Sequence, residues 1–195
     1  VVKDNGTPYT VFTPYSRKWK AMLNDAALKA NQVEKYYHNL KPTPPLHEPT
    51  LEDIGFKPTA DVFPVRQIKL SRIRSYDETR NFPGIEGTTR LGIHLRFGTV
   101  SIRRLVSIAL RENPIWLNEL IWREFFQMIL WHFPETAQKC FKTEYERILW
   151  RNNEQEFQAW CEGRTGYPLV DAGMRELNAT GFMHNRVRMV TASFL

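Results

Sequence analysis

The chain has 195 residues, 42% of them hydrophobic and 25% charged, which is ordinary for a folded globular protein and excludes a disordered or fibrous one. Its 27 Lys and Arg outnumber its 21 Asp and Glu, for a net charge of +6, which is compatible with a polyanionic partner without requiring one. Two cysteines and five scattered histidines offer no ligand spacing, so we expect no metal site, no disulfide and a reducing, cytoplasmic location.

The first sixty residues predict a short extended piece at residues 8–14, then a helix from about 17 to 37. Residues 41–58 hold five prolines among polar residues, which is typical of an extended connector and predicts a domain boundary near residue 60. No secretory leader opens the chain, and no apolar run is long enough to span a bilayer. The chain does not begin with Met, and we expect it to be a fragment.

Beyond residue 60, helical patterns dominate. Ser101 is a suitable cap for a helix with one apolar face, and Gly181 is a suitable stop. The further helices that we predict span residues 114–134, residues 153–161, residues 168–178, and residues from about 184 to the end of the chain. With no repeat and no convincing strand pattern, this part is predicted to be all-α.

The helix at residues 114–134 is the most informative, because its apolar residues occupy every side, as in a helix at the middle of a domain. Its Glu119 and Arg123 share a face with two aromatic rings, Trp122 and Phe126. Ionised groups on a buried helix need polar partners. Two hypotheses follow: Glu119 and Arg123 form an ordinary i,i+4 ion pair, or they face a ligand.

Basic residues cluster between residues 87 and 111, where no acid occurs, and again at Arg186 and Arg188. This distribution favours a nucleic-acid partner, with a solvated helix face as the alternative. Residues 84–92 combine glycines, two threonines and Arg90, which suit a phosphate, although Thr88 or Thr89 could simply cap a helix.

Five motifs stand in order along the chain: Tyr-Asp-Glu-Thr-Arg-Asn-Phe-Pro from Tyr76, Gly-Thr-Thr-Arg-Leu from Gly87, Trp-Leu-Asn-Glu-Leu-Ile-Trp-Arg-Glu-Phe from Trp116, Gly-Tyr-Pro-Leu-Val-Asp-Ala-Gly-Met-Arg from Gly166, and Met-His-Asn-Arg-Val-Arg-Met from Met183. Together they resemble the photolyase and cryptochrome family over nearly the whole chain. The resemblance implies that residues 61–195 are the first part of an all-α, photolyase-type FAD-binding domain. Residues 1–60 would then be the end of an α/β antenna domain and an irregular interdomain linker.

The resemblance implies a U-shaped FAD as cofactor and an antenna chromophore in a preceding domain. The FAD-binding residues that it implies are Tyr76, Thr88, Thr89, Arg90, Leu91, Gly92, Trp116, Arg123 and Arg188. Gly92 stands where the family often has Ser, so only its backbone can contact the cofactor. Trp150 matches the outermost tryptophan of the chain that photoreduces the flavin. Because acidic residues expected around the flavin lie beyond Leu195, this segment alone is expected to bind FAD weakly or not at all.

The partner that the resemblance implies is damaged DNA, with a pyrimidine dimer flipped out of the helix. Four residues would face the dimer and act in catalysis: Glu119, Trp122, Asn185 and Met189. The DNA-binding residues would be Arg80, Glu119, Trp122, Phe126, Asn185 and Arg186. Excited, fully reduced FAD would pass one electron to the dimer, the ring would split, and the electron would return. Trp122 would be a flat wall, and a protonated Glu119 would donate a hydrogen bond to a base.

Asn185 and Met189 favour a class I cyclobutane pyrimidine dimer photolyase, since six-four photolyases are expected to have paired histidines at 184 and 185 and plant cryptochromes an Asp at 185. We expect a monomer with no membrane partner. One alternative is a cryptochrome-like blue-light sensor that binds FAD without repair. Another is a helical nucleic-acid-binding module without cofactor, which would leave Tyr76 and residues 88–92 unexplained.

Overall fold

The computed structural model describes residues 1–44, 46–60 and 62–195, and within these ranges it contains helices and irregular segments but no strand. The α-helices are α1 (Phe12–Met22), α2 (Asp25–Leu28), α3 (Leu70–Arg74), α4 (Tyr76–Thr79), α5 (Gly92–Arg96), α6 (Ile102–Glu112), α7 (Pro114–His132), α8 (Glu154–Cys161), α9 (Pro168–Thr180) and α10 (Asn185–Ser193). Short 3-10 helices lie at Glu34–Asn39, Pro134–Ala137 and Thr143–Arg147. The predicted all-α class is confirmed.

The first forty residues differ from the prediction. The expected helix over residues 17–37 is wrong, because α1 ends at Met22 and Asn24 then caps α2, its Oδ1 accepting the Ala27 N–H at 3.0 Å. Asparagine favours such caps over helix interiors. The extended piece at residues 8–14 is also shorter than expected, since α1 begins at Phe12. Pro14 fits there because the first turn of a helix leaves its N–H groups unpaired.

The proline-rich connector is irregular as predicted, apart from a turn at residues 51–55 and the preceding 3-10 helix. Pro45, in this connector, and Asp61, next to the predicted boundary, lie outside the described residues. The division of the chain at residue 60 stays a prediction.

The larger core is built around α7, on which α1, α4 and α6 pack. Asn113 starts α7: its Oδ1 accepts the N–H groups of Ile115 and Trp116 at 2.9 and 3.1 Å, and Pro114 follows it at the first helical position. The expected burial on every side is wrong, since the fully buried residues of α7 lie on one half of the helix, and residues on the other half are half-buried or exposed. Trp131, near the end of α7, is 83% exposed.

A smaller core joins α9 and α10 through Met174, Met183 and Val187. The two helices approach so closely at Gly173 that a Cβ there would lie 2.4 Å from Val187 Cγ1. α9 ends as predicted at Gly181, whose φ of 68° is left-handed. The last helix ends at Ser193 and does not continue to the end of the chain.

Candidate functional site

The carboxylate of Glu119 lies one turn into α7 and pairs with Arg80, whose Nη1 donates to Oε1 at 2.7 Å. The hypothesis of an i,i+4 pair with Arg123 is wrong. Arg123 instead donates to the Leu95 carbonyl at 3.3 Å and to Gln127 Oε1 at 3.4 Å. The reason is tertiary: α4 packs on the start of α7 and supplies a cation from another helix.

Asn113 holds these two helices together. Besides capping α7, it is 4% exposed and donates from Nδ2 to the carbonyl of Arg74 at 3.2 Å and to Asp77 Oδ1 at 2.8 Å. Arg74 ends α3 and Asp77 lies in the first turn of α4, so one side chain sets the position of Arg80 relative to α7. Sequence reasoning missed this role, although an Asn directly before Pro114 is a signal for a cap.

Burial dominates the electrostatics around Glu119. Burial raises the pKa of the Glu119 carboxyl above its ordinary value, against the opposing effect of the Arg80 and Arg186 charges. Burial also raises the pKa of Tyr76 to about 12, and the nearby Glu119 charge acts in the same direction. The Arg80 guanidinium lies 5.8 Å from the centroid of the Tyr76 ring. The carboxyl therefore holds a proton more readily than an exposed glutamate does.

The first turn of α10 completes this group. Arg186 Nε donates to Asn81 Oδ1 at 2.8 Å, and its Nη1 lies 3.6 Å from Met189 Sδ. Sequence reasoning missed Asn81, although it directly follows Arg80 in a recognised motif. We call Tyr76, Arg80, Asn81, Glu119 and Arg186 the Glu119 cluster. Two predicted neighbours on α10, Asn185 and Met189, are exposed beside it.

Trp122 lies on α7, three residues after Glu119, and is half-buried in an aromatic group. Its ring stacks on Phe12 of α1, with centroids 3.6 Å apart and an interplanar angle of 4°. Phe126 lies on the same face of α7, with its centroid 5.4 Å from that of Trp122, and is 57% exposed. An aromatic surface thus adjoins the Glu119 cluster.

Sequence reasoning also missed a carboxylate that anchors this aromatic group. Glu124 Oε2 accepts the indole N–H of Trp19 at 2.8 Å, and Oε1 accepts the hydroxyl of Tyr15 at 3.3 Å. Burial, together with the Glu124 charge, raises the pKa of Tyr15. The available signal was a second acid, next to Arg123, in an otherwise apolar run. Glu124 holds α1 against α7.

The loop at residues 87–91 is shaped by close contacts. Gly87 is buried so tightly that a Cβ would lie 2.7 Å from Thr79 Cβ. Arg90 has a left-handed φ of 52°, and its guanidinium lies 4.3 Å from the Phe182 ring centroid and 3.9 Å from Glu176. The capping alternative for Thr88 and Thr89 is wrong, since Leu91 precedes α5 and no side chain caps it.

A cavity of about 200 Å³ adjoins this loop. It is lined by Pro64, Val65, Gln67, Lys69, Arg72, Glu86, Thr89 and Arg90. Three cations and a hydroxyl against one carboxylate suit a phosphate, so the donor set fits the phosphate end of a nucleotide cofactor. The volume is too small for a whole dinucleotide. Lys69 and Arg72 were not predicted, and Arg72 also pairs with Glu86 and donates to the Thr88 carbonyl.

The remaining predicted residues are dispersed. Leu91 and Trp116 are buried in the larger core, 2% and 4% exposed. Gly92, at the start of α5, and Arg188, in α10, are both exposed. Trp150 is 62% exposed and lines a separate cavity of about 920 Å³ with α8 and the end of the chain. The structure therefore brings together the residues predicted for the lesion more closely than those predicted for the cofactor.

Among the described residues, no cluster of His, Cys, Asp and Glu is arranged to hold a metal ion. None of their helices has both the length and the apolar character that crossing a membrane requires.

Comparison with known proteins gives concordant matches. Residues 116–195 match the family model for the FAD binding domain of DNA photolyase. The whole chain is 36% identical to the deoxyribodipyrimidine photo-lyase of Escherichia coli (strain K12) over 213 residues, covering 45% of that protein. The chain thus spans about half the length of the curated relatives that it matches.

Solved structures agree with this match. A bacterial class III photolyase from Agrobacterium tumefaciens superposes with a TM-score of 0.76 at 28% identity, over 100% of this chain and 45% of that one. An archaeal photolyase from Sulfolobus tokodaii, solved with two FAD molecules, superposes with a TM-score of 0.57 at 41% identity, over 66% of this chain and 28% of that one.

Proposed function

Since this chain belongs to the DNA photolyase family, we propose that it serves light-dependent DNA repair as a deoxyribodipyrimidine photo-lyase, which splits cyclobutane pyrimidine dimers. One observation carries the proposal: the Glu119 cluster, with two cations and a carboxyl whose pKa is raised by burial, adjoins the aromatic surface of Trp122 and Phe126. A flipped-out base requires both an aromatic contact and a hydrogen-bonding edge. Asn185 and Met189 beside the cluster support the class I assignment.

On the substrate side, each residue has a separate task. Trp122 packs against a base ring, and Phe126 extends that surface. Glu119, when protonated, donates a hydrogen bond to a base carbonyl, which is stronger in a site that excludes water. Arg80 and Arg186 attract the DNA phosphates, and Asn185 offers its amide to the base edge.

On the cofactor side, the basic cavity and the loop beside it support a phosphate site. Thr89 and Arg90 would hold the FAD phosphates, with Tyr76, Thr88, Leu91, Gly92, Trp116, Arg123 and Arg188 as the remaining proposed contacts. When bound, reduced FAD supplies, on illumination, the electron for ring splitting. Trp150 is the proposed outer electron carrier. The antenna domain and chromophore of the family belong to this proposal as well.

The proposal includes a monomeric protein. It also includes a cytoplasmic location, which the two free cysteines, Cys140 and Cys161, support. The second candidate, a blue-light sensor that binds FAD without repair, is not better supported, because a sensor has no need of the two arginines of the Glu119 cluster, Arg80 and Arg186.

The test is selective binding and repair of a dimer. The 195-residue chain is titrated against a single-stranded thymidine oligomer carrying one cyclobutane dimer and against the same oligomer undamaged. It is then illuminated with the damaged oligomer under anaerobic conditions and a large excess of reduced FAD. We expect preference for the damaged oligomer and a loss of dimers, both reduced in Trp122→Ala. Equal affinity for both oligomers together with no loss of dimers would refute the proposal, and FAD binding without either effect would favour the sensor.

A further inference from the structure

The stack between Phe12 and Trp122 joins parts of the chain that are far apart in sequence. Phe12 begins α1, whereas Trp122 is in the middle of α7. Their centroid separation of 3.6 Å and interplanar angle of 4° mean that one face of the indole is covered by the phenyl ring. A base cannot occupy that face while Phe12 is in place, so it must approach from another side.

Phe12 is not free to move away from Trp122. Tyr15 and Trp19, three and seven residues later on the same side of α1, donate to Glu124, two residues after Trp122. Tyr15 is fully buried and Trp19 is 9% exposed. Moving the backbone of Phe12 away from Trp122 would require α1 to leave α7 and would leave these donors without an acceptor.

A third ring, that of Phe125, packs against both Phe12 and Trp122. Phe125 meets Phe12 edge-on at 5.8 Å and 81°, and meets Trp122 edge-on at 5.6 Å and 83°. Edge-to-face contacts of this kind are favourable and directional. The indole therefore has the Phe12 ring on one face, the Phe125 ring at its side and the exposed Phe126 ring 5.4 Å away at 24°, and these three rings together restrict its rotamer.

We propose that Phe12 is a positioning residue that fixes the indole plane of Trp122, so that the opposite side of the ring is oriented for the base before DNA binds. This inference rests on the proposed function, in which Trp122 contacts the dimer. Its physical basis is preorganisation: the entropy of ordering the indole is lost when the protein folds and not when it binds. Phe12 acts through Trp122 and does not itself touch the dimer.

Two substitutions separate positioning from packing. Phe12→Tyr keeps the ring, whereas Phe12→Leu keeps apolar volume without a plane. We expect Phe12→Leu to reduce the preference for the dimer-containing oligomer about fivefold and Phe12→Tyr to preserve it, since the stacking of aromatic pairs is worth roughly that factor. In a Trp122→Ala background, Phe12→Leu should have no further effect, because its action runs through Trp122. The control is Phe97→Leu, at an exposed ring.

A spectroscopic measurement decides the role of Phe12 independently of DNA. The near-UV circular dichroism of Trp122 is the difference between the parent chain and Trp122→Phe. Phe12→Leu should lose this signal and Phe12→Tyr should keep it, while both variants keep the far-UV circular dichroism of the folded parent chain. Equal effects of Tyr and Leu on affinity and dichroism would overturn the proposal. A higher affinity in Phe12→Leu would do so too, since Phe12 would then occupy the place of the base. If the parent chain shows no preference for the dimer, the proposed function fails. The dichroism then tests by itself whether Phe12 fixes the indole plane of Trp122.

Discussion

Replacing Glu124 by leucine tests whether a single carboxylate holds α1 on α7. The Tyr15 hydroxyl and the Trp19 indole N–H both lose their acceptor. Two buried donors without a partner cost roughly 2–6 kcal/mol together, with the lower part of the range suited to the slightly accessible Trp19. Burial of the leucine side chain returns roughly 1 kcal/mol. The expected loss in the free energy of unfolding is about 3 kcal/mol.

The assay is urea unfolding of the parent chain and the variants, followed by far-UV circular dichroism and tryptophan fluorescence. Glu124→Gln keeps one side-chain oxygen as an acceptor, so it should lose about half as much stability. The control, Glu48→Leu, replaces an exposed carboxylate and should change stability by less than about 0.5 kcal/mol. If Glu124→Leu matched that control, the two hydrogen bonds would not hold α1, and the reasoning would be refuted.

Three further predictions concern other parts of the chain. Gly173→Ala should destabilise the α9–α10 pair by about 1–3 kcal/mol in urea unfolding, because its Cβ would lie 2.4 Å from Val187 Cγ1. The Thr165 hydroxyl, helped by backbone N–H groups, holds the pKa of Asp171 below its usual value. Asp171 therefore stabilises the folded chain at pH values above about 4, the pKa of Asp in an unfolded chain, and this stabilisation is lost as pH falls through the lower pKa of the folded state. Thermal unfolding scans across pH measure the loss. Burial raises the pKa of Glu119, so preference for the dimer should decline as pH rises through that pKa and the donor proton is lost.

Each of these has a matched control. Gly84 has open space around it, so Gly84→Ala should leave stability nearly unchanged, and an equal loss in both alanine variants would contradict the argument from close packing. Asp171→Asn should reduce the acid-dependent part of the thermal scans, and the remainder comes from other carboxyls with lowered pKa values, such as Glu112 and Glu162. An acid dependence equal to that of the parent chain would contradict the role of Asp171. Glu119→Gln keeps a donor at every pH and should flatten the binding profile; an unchanged profile would show that another group titrates.

Local sequence signals predicted the helices whose ends are determined by their own residues. Ser101 caps α6, Pro114 begins α7, and Gly181 ends α9, as their conformational preferences require. The prediction failed over residues 17–37, where the polar Asn24 interrupts an otherwise helical composition. A cap and a surface position of a helix look alike until the backbone conformation is known.

The sequence by itself determined the all-α class, the central helix with charged residues among its apolar ones, and the family, because these depend on spacing along the chain. Only the tertiary structure decided the partner of each charge. Glu119 pairs with Arg80 and not Arg123, Glu124 binds two side chains of α1, and Trp122 stacks on Phe12. Such pairs form where separate helices cross, and the crossing depends on the packing of many side chains, which no periodicity along one helix records.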